Sequence, residues 1–349
     1  NGSIPISGFP SRGFFPEPRF GVAYDLFGNG KTVLRGGFGV YRYQISYNTA
    51  SEGYNAPLNV VQAGTTWDCC VGYQSFNQFS PTLGAPGLGT AIGALQKGDD
   101  RTPYTQSYNV TVSQRAPWQS LVEVQYVGNR SRDLLLDGGG NGNLGNLDNI
   151  PIGAFYKPDP TTGTVITPYD SAFNANHYYP YANYTGIKLV SHGSYSNYNA
   201  FMISWQKQTG PVTFTTNYAF SKALGVRDGY SGNGQQSGYA VDPFNLAAND
   251  GVLGYDHTHV FNAAYIVNLP KLHDVNWLVS GIVNGWELSG ITQLQSGAPI
   301  QPNTQGSLNV SYGSATVGGS SKGVSPTTFL GTNAFGYLPP VLTCDPSKG

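Results

Sequence analysis

The chain has 349 residues, only 11% of them charged, and a net charge of −1, where an average soluble domain carries about 25% charged residues. Its 24 Tyr, 17 Phe and 5 Trp exclude a disordered chain, and 47 Gly beside many strand-favouring residues count against a helical one. The near-neutral balance offers no basic face for nucleic acid, and the longest apolar runs, such as Ala263 to Val267, fall far below the ~18 residues of a transmembrane helix.

Period-2 alternation begins at Arg19, where Phe20, Val22, Tyr24 and Leu26 alternate with Gly21, Ala23 and Asp25. The stretch Gly28-Asn29-Gly30-Lys31 contains Asn-Gly, the strongest short hairpin signal. The return strand runs from Thr32 to about Tyr43, with Leu34, Phe38 and Val40 on one face and Arg35, Gly37, Gly39 and Tyr41 on the other. A long irregular stretch, about 44–103, follows. It holds the adjacent Cys69 and Cys70, with Trp67, Tyr73 and Phe76 around them. A vicinal disulfide, or pairing outside this chain, suits an oxidising compartment; the cysteine spacing does not suit zinc.

The second hairpin spans about 104–130. Tyr108, Val110 and Val112 alternate with Asn109, Thr111 and Ser113, and Val122, Val124 and Tyr126 with Glu123 and Gln125. After a long stretch to about 195, which carries Tyr178, Tyr179, Tyr181 and Tyr184, the third hairpin covers about 197–222. Phe201, Ile203 and Trp205 oppose Met202, Ser204 and Gln206; Phe214, Thr216, Tyr218 and Phe220 return. Beyond residues 223–256 the fourth hairpin, about 257–295, sets Phe261, Ala263, Tyr265 and Val267 against Asn262 and Ala264. After a turn near 269–276, Trp286, Leu288 and Leu294 oppose Glu287, Ser289 and Gln293. Residues 296–349, with Cys344, are again irregular.

Turns alternate short and long along the whole chain. Long structureless loops are uncommon in compact soluble domains, whereas outer-membrane barrels combine short periplasmic turns with long extracellular loops. Lipid offers backbone groups no hydrogen-bond partner, so a spanning sheet must satisfy them between strands. The expectation is all-β: an antiparallel transmembrane β-barrel segment of about eight strands in four hairpins. A secreted antiparallel sandwich would show the same alternation, but the low charge and one-sided long loops oppose it.

Several segments resemble the barrel of TonB-dependent outer-membrane receptors of the Oar-like group. They are PRFGVAYDLFGNGKTVLRGGFGVY (Pro18 to Tyr41), TPYTQSYNVTVSQ (Thr102 to Gln114), VEVQYVGNRSRDL (Val122 to Leu134), NYNAFMISWQKQ (Asn197 to Gln208), NYAFSKAL (Asn217 to Leu224), HVFNAAYIVNLP (His259 to Pro270) and NGWELSGITQLQSGAP (Asn284 to Pro299). The resemblance implies a plugged barrel of about twenty-two strands, with the plug, the TonB-contacting segment and the remaining strands lying outside this chain. The inward positions agree: Gly21, Ala23, Gly37, Gly39, Thr111, Ser113 and Thr215 are too small to fill an eight-stranded lumen. An incomplete chain forming an open, curled sheet is therefore expected, its edges near Arg19 and Gln295 unpaired.

No residue pattern argues for an enzyme. No Gly-x-Ser-x-Gly elbow occurs, paired carboxylates in strands are missing, and Gly87, Gly89 and Gly93 lack the spacing and βαβ setting of a dinucleotide loop. Asp99-Asp100-Arg101 and Asn249-Asp250-Gly251 fail calcium-loop spacing and read as turns. His257 and His259 lack a third metal ligand and read as a polar strand end. Neither a cofactor nor a metal is expected. The candidate ligand contacts are the loop aromatics Trp67, Tyr73, Phe76, Tyr178, Tyr179, Tyr181 and Tyr184, which girdle or loop packing would also explain. The expected role is ligand recognition by extracellular loops and TonB-dependent uptake of an unidentified nutrient, in the outer membrane of a Gram-negative cell. A passive porin or structural surface barrel, and a secreted glycan-binding β-sandwich, are the alternatives.

Overall fold

A computed structural model describes residues 14–42, 90–95, 99, 101–136, 144–181, 184–227, 231–232, 235–236, 241–271, 276–299, 314–317, 320–323 and 330–335. Its strands are β1 (Arg19–Asp25), β2 (Thr32–Arg42), β3 (Thr90–Leu95), β4 (Tyr104–Ala116), β5 (Ser120–Leu136), β6 (Tyr184–Lys207) and β7 (Val212–Val226). They continue as β8 (Ser231–Gly232), β9 (Gln235–Gln236), β10 (Asp250–Val252), β11 (His259–Asn268), β12 (Glu287–Gln295), β13 (Ser314–Val317) and β14 (Ser320–Gly323). One short helix, α1 (Trp277–Val283), precedes β12.

Local chemistry makes the turns. Between β1 and β2, Asp25 accepts from the Gly30 and Phe27 amides and Asn29 from that of Lys31. Gly28 and Gly30 both take φ of 65°, where a side chain is disfavoured. Between β4 and β5 the chain reverses over Trp118 and Gln119, both also at positive φ. That conformation suits the twist of a tight hairpin but costs a non-glycine residue energy.

Eight strands pair in one antiparallel path, β1-β2-β4-β5-β6-β7-β11-β12. In the described residues β1 pairs only with β2 and β12 only with β11, so the sheet is open, as expected. The register carries a continuous outer row: Tyr24, Leu34, Val112, Val124, Ile203, Tyr218, Phe261 and Leu294. Arg35, Asn109, Glu123, Ser204, Asn217 and Glu287 all fall on the opposite face. The apolar band also drifts along the strands. Phe20 lies level with Phe38 and Tyr108, yet the same row reaches Asn199 and Lys222 on β6 and β7. At the other end Leu288 is level with Val267 and Val212. A belt oblique to its hydrogen-bonded rows is what tilted barrel strands require.

Two outer-face glycines have a packing reason. A Cβ on Gly128 would sit 2.3 Å from the ring of its cross-strand neighbour Tyr108, and one on Gly290 2.6 Å from the Tyr265 hydroxyl. Both rings therefore lie flat over bare backbone, the cross-strand device that compensates a glycine in a sheet.

Three features differ from expectation. The fourth connection, residues 269–286, is not a short turn, because Asn276 accepts from the Leu278 amide and caps α1. β5, β6 and β7 run past the expected hairpin ends, β6 reaching 24 residues, about 80 Å at ~3.3 Å per residue. About 9–11 residues cross a membrane, so the surplus forms a wing beyond the long-loop end. The wing recruits β3, parallel to β6, and β10, antiparallel to β7. It has its own core of Leu136, Leu144 and Val226, with Tyr195 and Leu246 packed on it. The pairing of these extensions is non-local, and alternation alone does not reveal it.

Candidate functional site

The face opposite the apolar row presents small and polar groups. On it Arg35 donates to Ser113 Oγ (2.9 Å) and Glu123 Oε1 (3.1 Å), and Ser113 donates to the same carboxylate (2.6 Å). The three residues lie on β2, β4 and β5, so the network ties neighbouring strands across the inner wall. Toward the long-loop end a cavity of about 460 Å³ opens, lined by Tyr41, Thr105, Ser107, Asn129, Ser131 and Tyr198 among others. Its lining is neutral and rich in hydroxyls. Thr105 and Ser131 hydrogen-bond each other (2.9 Å), and the Arg19 guanidinium stacks over Tyr41 at 4.5 Å. Such a wall can hydrogen-bond polar solutes without binding one charge tightly.

The wing above is pinned by buried polar contacts. Asp99 accepts from Arg101 (2.9 Å) and the His192 amide (2.5 Å), and its carboxylate lies 3.2 Å from His192 Nδ1. Burial pushes the Asp99 carboxyl up, but Arg101 and His192 outweigh it and hold it below the usual range. Arg101 also reaches Asp133 at 3.5 Å. The segment leading into β4 is thereby latched to β6. A second latch is Asp256, which accepts from Lys222 Nζ (2.8 Å), the Ala223 amide (2.6 Å) and Thr258. Burial raises this carboxyl too, and the Lys222 ammonium and Ala223 amide overcome that and lower it. A third is Asn249, fully buried, which accepts from the Val241 and Asp242 amides and donates to the Asp242 and Asn245 carbonyls. Asp99 and Asn249 read as plain turn residues in the sequence. Asp99 bonds the His192 amide 93 positions away, so no local signal identifies it as a latch, whereas the Asn249 side chain bonds residues only 4 to 8 positions away.

The loop between β5 and β6 folds on a core of Ile150, Phe155 and Tyr178, with Phe173 stacked edge-on against Phe155. Asp159 is buried, with its carboxylate 2.8 Å from His177 Nδ1 and accepting from the Thr161 and Thr162 amides. Residues 330–335 dock on this loop: Thr332 donates to the Ile150 carbonyl and Asn333 to the Tyr179 hydroxyl. Asp148 is wholly buried. One oxygen accepts from the Tyr181 amide (2.9 Å), the other has no hydrogen-bond partner among the described residues, and burial lifts the carboxyl above its usual range.

Of the aromatics read from the sequence, Tyr178 is enclosed in this loop core, at 7% exposure, and cannot meet a ligand without unpacking the loop. Tyr179 is half-buried against Asn333, and Tyr181 is exposed, at 51%. Tyr184 stands in β6 beside Thr90 of β3. Trp67, Tyr73, Phe76, Cys69, Cys70 and Cys344 lie outside the described residues. His257 Nδ1 contacts the Ser296 carbonyl and His259 Nδ1 the Tyr218 hydroxyl, both at 2.8 Å. Phe220 also lies against the His259 ring. The His259 ring thus packs beside Tyr218 and Phe220 of β7.

Residues 4–343 match a family model described as outer membrane beta barrel domain. Two similar solved structures are the outer membrane transporter YddB from Escherichia coli and the FrpB iron transporter from Neisseria meningitidis (F3-3 variant). The first has a TM-score of 0.40 and 11% identity, over 72% of this chain and 26% of that one. The second has a TM-score of 0.35 and 8% identity, over 72% of this chain and 24% of that one. The chain therefore spans about a quarter of each. No curated protein matches the sequence.

Proposed function

The chain belongs to the family of outer membrane β-barrel domains and sits in a Gram-negative outer membrane, and from that premise we propose that it is a wall section of a plugged, TonB-dependent receptor. The observation that carries this reading is the open sheet with a shallow, small-residue inner face. Gly37, Gly39 and Ser113 add little bulk of their own to that face, where a small closed barrel would need it, and the flanking Tyr41 ring and Asn109 amide lie over the two glycines. The Arg35–Ser113–Glu123 network offers such a wall a polar seam against a separate plug domain. On this reading the plug, the TonB-contacting segment and the further strands that cover both edges are supplied from outside these 349 residues. On this reading the long loops capture the nutrient, with Trp67, Tyr73, Phe76 and Tyr181 as candidate ligand-contacting aromatics.

Planar-bilayer conductance of the whole protein tests the proposal. A plugged receptor gives no steady current until the plug is unfolded or deleted. Stable ohmic conductance from the intact protein favours a passive porin instead. A monomer that stays soluble without detergent favours the secreted sandwich.

A further inference from the structure

The outer face changes chemistry just above its upper aromatics. Rising along β5, the outward positions are Val124, Tyr126, Gly128, Arg130 and Arg132. Tyr126 and Tyr108 both point hydroxyls at Asn199 Oδ1 (2.8 and 3.4 Å), which marks the polar boundary of the apolar band. One row higher, Arg130 is level with Gln106 and Asn197; one above that, Arg132 is level with Tyr104 and Arg42. Three guanidiniums thus occupy outward positions in two successive rows, Arg42 on β2 and Arg130 and Arg132 on β5, with Tyr104 of β4 between Arg42 and Arg132.

Their surroundings differ in a useful way. Arg132 is held by the Ser131 and Ser196 carbonyls and Asn197 Oδ1, and Arg42 by the Thr102 carbonyl and the Tyr104 and Phe15 rings. Arg130 is exposed and has neither ion pair nor hydrogen bond among the described residues. Two positioned cations and one exposed one, just above Tyr108 and Tyr126, make a basic patch able to meet a phosphate at headgroup depth.

We propose that the outward Arg42, Arg130 and Arg132 bind the phosphate of an anionic glycolipid headgroup in the outer leaflet. The proposal rests on the outer-membrane orientation above, in which the long-loop end faces the cell exterior. Guanidinium–phosphate contacts are charge-assisted and bidentate. The lipid's acyl chains would lie along Val110, Val124 and Phe201 in the same outward columns.

The test is binding of lipid A by the detergent-solubilised whole protein, read by native mass spectrometry and titration calorimetry. Arg130→Gln is the informative variant, because Arg130 holds nothing else in place. It should weaken lipid A binding about tenfold, Arg130→Lys should recover part of the loss, and dephosphorylated lipid A should bind equally weakly to all three proteins. Inorganic phosphate should not compete, since it lacks the acyl anchor. Equal lipid A affinity for the parent and Arg130→Gln overturns the proposal, as does full competition by inorganic phosphate. Circular dichroism in the same micelles separates the two levels. Loss of β-structure overturns the barrel reading beneath the proposal, and intact β-structure with unchanged affinity overturns the lipid site alone.

Discussion

Arginine at Ile203 should impair insertion, and arginine at the adjacent Ser204 should not. Ile203 lies in the outer row that runs from Tyr24 to Leu294, and on β6 it is the middle of three outward apolar residues, between Phe201 and Trp205. The nearest polar outward positions are Asn199 and Lys207, each four residues away. That is about 13 Å along the strand, or roughly 10 Å of depth at a tilt near 40°. Snorkelling recovers only part of such a depth, so Ile203→Arg should cost about 2–4 kcal/mol, the range for arginine at the midplane of a barrel. In a folding equilibrium that is a factor of roughly thirty to a thousand. Ser204 faces inward, level with Glu123 and Asn217. An arginine there meets a carboxylate in a wet lumen, and its cost should stay within about 0.5 kcal/mol. A urea titration of refolding into lipid vesicles measures both. Equal costs at the two positions would refute the facing assignment.

Gly128→Ala places a methyl group against the Tyr108 ring and should destabilise by about 1–3 kcal/mol; the loss should shrink in a Tyr108→Ala background, as a double-mutant cycle would show. Replacing Trp118-Gln119 by Asn-Gly relieves two positive-φ residues and should stabilise by about 1–2 kcal/mol, read as a shift of the urea midpoint. Asp256 carries a lowered pKa in the fold, so its contribution is present above its ordinary value of 3.8 and is lost as the pH falls through the lower folded value. Proteolysis of the β7–β11 connection should therefore accelerate below about pH 4, and Asp256→Asn should abolish that step. Asp148 has the opposite sign: its carboxyl is raised, so its contribution is favourable at low pH and is lost as pH rises through the folded value. Asp148→Asn should accordingly slow proteolysis of residues 144–181 at neutral pH; unchanged cleavage would count against a buried charge there.

The hairpins were legible because their signals are local. Alternation of Phe20, Val22 and Tyr24 with Gly21 and Ala23 assigns two faces to a strand wherever that strand pairs, and the Asn29-Gly30 turn sets its partner. The role of Tyr178 was not legible, since a loop tyrosine suits a ligand or a core equally well until Phe155 and Phe173 close around it. The short fourth turn failed for a related reason. Residues 277–283, WLVSGIV, are mostly apolar, and the Asn276 side chain caps them as a helix.

The amino-acid sequence by itself determined the class of the protein, the order of its eight principal strands and the side each residue faces. Those properties follow from a two-residue period and from turns a few residues long. The tertiary structure alone decided the tall wing of β5, β6 and β7, the latches at Asp99 and Asp256, and the meeting of Arg42, Arg130 and Arg132 on one outer patch. Each of these joins residues tens of positions apart. Period-2 patterning states which face a residue takes but not its level along the strand, and only the register of neighbouring strands supplies that level.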